Sequence, residues 1–247
     1  MKAIDLNFDG GEGCEDAALM PYVSTVNVAC GAHAGDEATM RATVLLAKAH
    51  GVAVFAHPSF SDREGFGRRA MELPPHEVER LVLEQVETLR RIAEKEGVSL
   101  AGVKPHGGLY HVAARDAEVS GAAARGARAV SQNLILVSSP GSELLKAAKV
   151  LGMRGAAEGF ADRGYRPDGS LVPRGTTGAL VESPEQAASQ ALLIAREGYV
   201  LAVDGTRIPL SVETICLHGD TPGAVASAEM VRAALIDAGV TLTPFTD

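Results

Sequence analysis

The chain has 247 residues, enough for one domain with a sizeable core or for one complete α/β barrel. Hydrophobic residues make up 46% and charged residues 22%, an ordinary globular composition that excludes a disordered chain. A net charge of −8, 4% aromatics and no Trp argue against a nucleic-acid or anionic-membrane surface, which needs basic patches and stacking faces.

Met1-Lys2-Ala3-Ile4-Asp5 carries no apolar leader, and no run is long and apolar enough to cross a bilayer. Cys14, Cys30 and Cys216 are widely spaced and form no C-x-x-C pair, which excludes a zinc ribbon or a thioredoxin-like site. Cys30 and Cys216 end apolar runs and read as small core residues. A reduced, cytoplasmic protein is expected.

In chain order, strands are predicted over Ala3–Phe8, Thr25–Cys30, Val52–Ala56, Leu100–Lys104, Leu134–Val137, Met153–Ala157 and Thr214–Leu217. A hairpin is expected around Asp204-Gly205, from Ala202 to Ile208. Gly51, Gly97, Gly152, Gly198 and Gly239 each end a helix-like stretch and lead at once into an apolar run. Glycine there supplies the left-handed residue that turns a helix directly into a strand. Alternation of this kind predicts a parallel sheet covered by helices, in a single domain over residues 1–247. Between Glu77 and Glu96 the residues Val78, Leu81, Val82, Val86, Leu89, Ile92 and Ala93 form one helical stripe. Ser183-Pro184-Glu185-Gln186 reads as a capping box, and Thr221-Pro222 is expected to open the last helix similarly.

Polar clusters follow nearly every predicted strand. They are Asn7 to Glu12, Gly31 to Asp36, His57-Pro58, Lys104 to Gly108, Glu158 to Arg163, and His218 to Pro222. In a parallel barrel these ends share the face that carries the active site. His33, His57, His106 and His218 would therefore converge, with Asp9, Glu12 and Lys104 among them. Asp36 reads as a helix N-cap; Asp220 reads either as a cap, in competition with Thr221, or as a rim residue. Gly10, Gly11, Gly107 and Gly108 read as tight-turn residues that let backbone N–H groups approach a ligand. Arg68, Arg69, Arg163 and Arg174 lie in loops near the mouth, where a guanidinium fork suits a carboxylate or phosphate. No G-x-x-x-x-G-K-[ST] loop occurs.

These stretches resemble the LamB/YcsF family, the A subunits of bacterial 5-oxoprolinase, over essentially the whole chain. The matching runs are Ile4-Asp5-Leu6-Asn7 with Asp9 and Glu12, Asn27 to Asp36, Ala56-His57-Pro58, Gly65 to Arg69, Val103 to Gly107, Glu158 to Arg163, Leu171 to Arg174, and Cys216 to Pro222. Gly10, Gly108 and Gly175 depart from the family's usual residues. The resemblance implies a deformed (β/α) barrel of about seven parallel strands, related to carbohydrate-deacetylase barrels. It also implies ATP-dependent opening of 5-oxoproline to L-glutamate, together with partner subunits B and C.

Opening a lactam needs a base to activate water, an acid for the departing nitrogen, and cations for the developing charge. Asp9 or Glu12 is the expected base. Lys104 and His106 would steady an oxyanion or phosphate, and His33, His57 and His218 would relay protons. Arg163 or Arg174 would clamp the substrate carboxylate, with Glu158, Asp162, Arg68 and Arg69 as further substrate-binding candidates, and Asp220 stands with the catalytic candidates. Two alternatives stand. One is a metal-dependent amidohydrolase or deacetylase in which Asp9 and two or three His hold a divalent metal. The other is a non-catalytic subunit that binds substrate or scaffolds its partners.

Overall fold

The computed structural model describes residues 2–221 and 223–246. The first half of the chain alternates strands and helices: β1 (Ala3–Gly10), α1 (Asp16–Leu19), β2 (Thr25–Ala29), α2 (Glu37–His50), β3 (Ala53–His57), α3 (Pro75–Lys95) and β4 (Leu100–Val103). Then come α4 (Gly107–Ala113), α5 (Ala117–Val130), β5 (Ile135–Ser138), α6 (Glu143–Val150) and β6 (Gly155–Phe160). The last part contains α7 (Pro184–Leu192), β7 (Tyr199–Leu201), β8 (Arg207–Pro209), β9 (Thr214–Leu217), α8 (Ala224–Asp237) and β10 (Thr241–Leu242).

Seven parallel strands close into a barrel in the order β1-β2-β3-β4-β5-β6-β9, and β9 pairs back onto β1. The five predicted helix-ending glycines all adopt positive φ, between 67° and 77°. Three of them lead into barrel strands. Gly198 instead leads into β7, which forms the expected hairpin with β8 outside the barrel, and Gly239 leads toward β10, which pairs with β1. Asp36 caps α2 by accepting from the Thr39 N–H at 2.8 Å. Ser183 caps α7, while the Gln186 side chain reaches back to the Glu182 N–H rather than that of Ser183. The expected opening of α8 at Thr221-Pro222 involves Pro222, which lies outside the described residues; α8 begins after Gly223.

Four strands run past their predicted ends, β5 by the single residue Ser138. β1 continues to Gly10, β3 to His57 and β6 to Phe160. In β6, Glu158 pairs in register with Thr214 and Phe160 with Cys216, so ladder hydrogen bonds outweigh the weak strand propensity of Gly155-Ala156-Ala157-Glu158. Asp9, His57 and Glu158 thereby belong to the barrel wall and not to loops.

Side chains alternate across the wall, as the pleat requires. Ile4, Leu6 and Phe8 of β1 and Val26 and Val28 of β2 join the main core beneath the helices. Asp5, Asn7, Asp9, Thr25 and Asn27 alternate with them, are all buried, and meet one another inside the barrel. A smaller apolar cluster of Phe55, Ile135, Val137 and Ala156 fills the side made by β3, β5 and β6, and Phe245 packs on Phe55 with ring centroids 5.3 Å apart. Gly102 of β4 lets that cluster close: a Cβ there would lie 2.1 Å from the Phe55 ring and 2.4 Å from the Ile135 carbonyl oxygen.

Asp5 accepts hydrogen bonds from the hydroxyls of Ser24 at 2.7 Å, Thr25 at 2.6 Å and Thr214 at 2.5 Å. Burial still pushes its carboxyl up to about 6. A carboxyl raised in this way favours the fold below its unfolded value of 3.8, and the contribution is lost as pH rises through about 6. The stability of the parent relative to Asp5→Asn is therefore expected to fall by roughly 2–4 kcal/mol between about pH 4 and pH 7 in urea unfolding. Parallel pH curves for the two proteins would show that Asp5 does not titrate in this window.

Candidate active site

The last residues of the strands bring the predicted cluster together at the C-terminal mouth of the barrel. Lys104, just past β4, is its centre. Its buried ammonium donates to Asp9 Oδ1 at 3.0 Å, to Glu158 Oε1 at 2.8 Å and to Asn7 Oδ1 at 3.3 Å, and lies 3.1 Å from Cys216 Sγ. Asn27 donates to Asp9 Oδ1 at 2.9 Å and to Asn7 Oδ1 at 2.8 Å. Asn7 in turn donates to Glu158 Oε1 and Thr214 Oγ1.

Glu12, in the loop after β1, faces three imidazoles. Its Oε1 lies 2.8 Å from His33 Nε2, 3.3 Å from His106 Nδ1 and 3.7 Å from His57 Nε2. His57 Nε2 is also 3.3 Å from Asp9 Oδ2 and 3.0 Å from His106 Nδ1. The His33 and His106 rings stack 3.9 Å apart and nearly parallel. The loop Gly65-Phe66-Gly67 holds that stack. The Phe66 carbonyl accepts from His106 Nε2 at 2.8 Å, and Phe66 is the one non-glycine residue with positive φ (54°) among the described residues. At Gly67 (φ 66°) a Cβ would come within 2.8 Å of His33 Cβ and 2.9 Å of His106 Cδ2. Backbone strain concentrates where a site must be held in one geometry.

On the opposite side of the mouth, Asp162 accepts from the His218 N–H at 2.7 Å and faces His218 Nδ1 at 3.1 Å. An ionised carboxylate can only accept, so Nδ1 carries the proton and the ring is fixed in one orientation. A ring nitrogen of His218, a carboxylate oxygen of Asp9 and Cys216 Sγ lie within 4.8 Å of one another.

The charge states follow from burial and neighbours. Burial alone would raise Asp9, but His57 and Lys104 hold its carboxyl well below the usual range. Burial alone would lower Lys104, but Asp9 foremost holds it well above the usual range. Burial and the adjacent Asp9 raise Glu12. Burial, with His57 next, pushes His33 and His106 down to about 3. His57 is raised, because Asp9 and Glu12 outweigh its burial. The site thus sets an ionised carboxylate beside a buried ammonium, with two neutral imidazoles behind them.

The rim differs from the sequence-based expectation. Arg163 turns inward: Nε donates to the Ala179 carbonyl at 3.0 Å and Nη2 to that of Val172 at 2.7 Å. It staples the loop after β6 rather than standing open as a carboxylate clamp. Glu158 is paired with Lys104 and Asp162 with His218, so neither stands free on the rim. Asp220 lies outside the buried cluster and does not cap α8; it bridges Arg68 Nη2 at 2.5 Å and Arg174 Nη2 at 3.3 Å. Arg69 is exposed and pairs with Asp62 in its own loop at 3.5 Å. Arg68 and Arg174 are the rim cations that converge.

Asn7, Asn27 and Ser59 are not among the sequence candidates, yet each holds one that is: Asn7 bonds Glu158 and Lys104, Asn27 bonds Asp9, and Ser59 bonds His33. The signal for Asn7 and Asn27 is a polar residue at every second position of a strand. A strand buried on both faces should read as a continuous apolar run, and Asp5-Leu6-Asn7-Phe8-Asp9 and Thr25-Val26-Asn27-Val28 do not. Among the described residues, two sets of side chains offer donor atoms close enough for a metal: Glu12, His33, His57 and His106, and Asp9, Cys216 and His218.

The LamB/YcsF family model matches residues 4–247. The 5-oxoprolinase A subunit of Chloroflexus aggregans is 48% identical over 98% of this chain and 98% of its own length. The crystal structure of a lactam utilization protein from Thermus thermophilus has a TM-score of 0.92 at 42% identity, covering 98% of this chain and 100% of that one. A T48 deacetylase solved with substrate has a TM-score of 0.52 at 17% identity over 98% of this chain and 87% of its own, a likeness of barrel fold alone. Matched from β1 to its last residue, the chain belongs to the LamB/YcsF family.

Proposed function

We propose that the chain is the A component of a 5-oxoprolinase, opening the lactam of 5-oxoproline to L-glutamate with hydrolysis of ATP in a complex with B and C subunits. The observation that carries this reading is the 48% identity, over 98% of both chains, to a protein named as the A component of that enzyme. The geometry supports it by supplying the groups that ring opening needs.

A lactam carbon is a poor electrophile because its nitrogen donates into the carbonyl. Transfer of the ATP γ-phosphoryl group to the lactam oxygen removes that stabilisation. Water then adds to the ring carbon and gives its proton to Asp9, which His57 and Lys104 keep ionised. Lys104 offsets the charge that accumulates on the adduct. Two bonds of the adduct can break. Loss of phosphate first regenerates the lactam and wastes the ATP. Loss of nitrogen first gives an acyl phosphate, and a second water converts it to glutamate and phosphate. Protonating the nitrogen selects the productive path; we assign this to His218, whose Nδ1–H is held by Asp162 and whose other ring nitrogen would pass on the proton that Asp9 took from water. Arg174, with Arg68, takes the substrate carboxylate in exchange for Asp220.

The test is reconstitution of the chain with its B and C subunits, followed by measurement of glutamate release from 5-oxoproline and ATP. Little or no turnover is expected from the chain alone. A reconstituted complex that does not release glutamate would sink the reading.

Within that complex, Asp9→Asn is expected to keep the fold, checked by circular dichroism, and to slow glutamate release by about 10²–10⁴. His218→Gln is expected to raise the ATP consumed per glutamate formed, because nitrogen protonation is impaired while water addition survives. Normal turnover by Asp9→Asn would favour a scaffold role, and unchanged coupling in His218→Gln would remove it as the acid.

Arg174→Lys keeps the charge and loses the two-pronged geometry. It is expected to weaken 5-oxoproline binding about tenfold, the worth of one charge-assisted hydrogen bond, while sparing a neutral lactam that lacks the carboxylate. Equal losses for both ligands, in calorimetric titration of the complex, would move the clamp away from Arg174.

A further inference from the structure

We propose that Glu12, His33, His57 and His106 bind one divalent transition-metal ion of the zinc class at the barrel mouth. The inference goes beyond the lactam reading and stands on hydrogen-bond direction. Each imidazole has its outer nitrogen held by a carbonyl or hydroxyl oxygen. His57 Nδ1 meets the Lys104 carbonyl at 2.7 Å, and His106 Nε2 meets the Phe66 carbonyl at 2.8 Å. His33 Nδ1 meets Ser59 Oγ at 2.9 Å, and the one hydroxyl proton of Ser59 is already donated to the Phe60 carbonyl. The carbonyl partners make the outer nitrogens of His57 and His106 N–H donors, and Ser59 can serve His33 in the same way, so the inward nitrogens of His33 and His106 are free to present lone pairs, while that of His57, which also faces Asp9, would give up its proton to an ion. The inward atoms gather around Glu12 Oε1.

Inward-facing atoms this close are held together by shared protons or by one cation, and a divalent ion does so without a proton on any of them. Outer N–H groups anchored on carbonyls or hydroxyls are how proteins orient histidines toward a metal. The spacing fits. A tetrahedral ion with bonds of about 2.0–2.1 Å separates its donor atoms by about 3.3 Å. Here the separations are 2.8 Å (Glu12 to His33), 3.0 Å (His57 to His106), 3.3 Å (Glu12 to His106) and 3.7 Å (Glu12 to His57). Three imidazole nitrogens and one carboxylate oxygen suit zinc(II) or cobalt(II) rather than calcium or magnesium, which prefer oxygen ligands. The second donor set, Asp9 with Cys216 and His218, differs in kind: the Lys104 ammonium already stands 3.0 Å from Asp9 Oδ1 and 3.1 Å from Cys216 Sγ. An ion in the first set would tie together the loops after β1 and β2 and the ends of β3 and β4, with Asp9 beside it.

The test needs neither partner nor substrate, so its failure is distinct from failure of the lactam reading. Tag-free chain is stripped with a chelator, loaded with zinc(II) or cobalt(II), dialysed, and assayed for metal by mass spectrometry. About one ion per chain is expected, with the visible absorption of tetrahedral cobalt(II) and a higher melting temperature on loading. Glu12→Gln, which keeps the side-chain volume, and His106→Asn should each weaken binding at least about tenfold. His50→Asn, at the exposed end of α2, should change nothing. Absence of a tightly held ion in the parent chain overturns the proposal whatever the variants do. So does an ion whose affinity survives both Glu12→Gln and His106→Asn, because the inward atoms would then be joined by shared protons alone.

Discussion

A lysine ammonium inside a closed barrel constrains everything around it. Taking that charge out of water costs several kcal/mol, and the cost is offset only by well-placed partners. Lys104 draws them from three other strands: Asn7 and Asp9 from β1, Glu158 from β6 and Cys216 from β9. The registers that place these atoms around one nitrogen are those that close the barrel, Asn7 opposite Cys216 and Glu158 opposite Thr214. Barrel closure and assembly of the charged site are one requirement. A slip of one residue in β1 would turn Asp5, Asn7 and Asp9 toward the helices and Leu6 and Phe8 toward the ammonium.

The interior divides unevenly as a result. Phe55, Ile135, Val137 and Ala156 make a dry side with Phe245 against it, while Asp5, Asn7, Thr25, Asn27 and Thr214 make a polar side. The dry side supplies ordinary hydrophobic stability. The polar side is a connected set of hydrogen bonds that leaves few rotamers open, so Asp9 and Lys104 are held before any ligand arrives. Rigidity on the floor permits adjustable loops at the mouth, where Arg68, Arg174 and Asp220 meet from three separate connections.

Much of this was legible in the sequence, for identifiable reasons. Glycines that end helices are local signals, and all five did so. The seven predicted strands became the seven barrel strands, most of them short apolar runs and β1 and β2 alternating polar with apolar residues. Strand ends were less legible. β6 reaches Glu158 and Phe160 only through pairing with β9, more than fifty residues later, which no local pattern reports. The convergence of Asp9, Glu12, Lys104 and four histidines followed from the single rule that parallel strands end on one face. Roles were harder to read than positions. Arg163 and Arg174 look alike in sequence, yet one is spent on the carbonyls of Val172 and Ala179 and the other reaches Asp220. Nothing within a few residues of either encodes that difference, because it depends on how the whole loop after β6 folds back.

The rim carboxylate has an electrostatic consequence for an anionic ligand. The chain carries −8 overall, so a small anion approaches against an unfavourable field. Arg68 and Arg174 supply two charges against the one of Asp220, which leaves the triad locally positive. All three side chains are partly solvated, so their mutual attraction is screened and weak compared with the Asp9–Lys104 pair. A carboxylate of suitable shape can displace Asp220 from one guanidinium without dismantling the site below. The buried pair could not make such an exchange, because separating Asp9 from Lys104 would strand two charges in a dry interior. With the exchangeable pair at the mouth and the fixed pair beneath it, an anion taken up by Arg68 and Arg174 would leave Asp9 ionised beside Lys104.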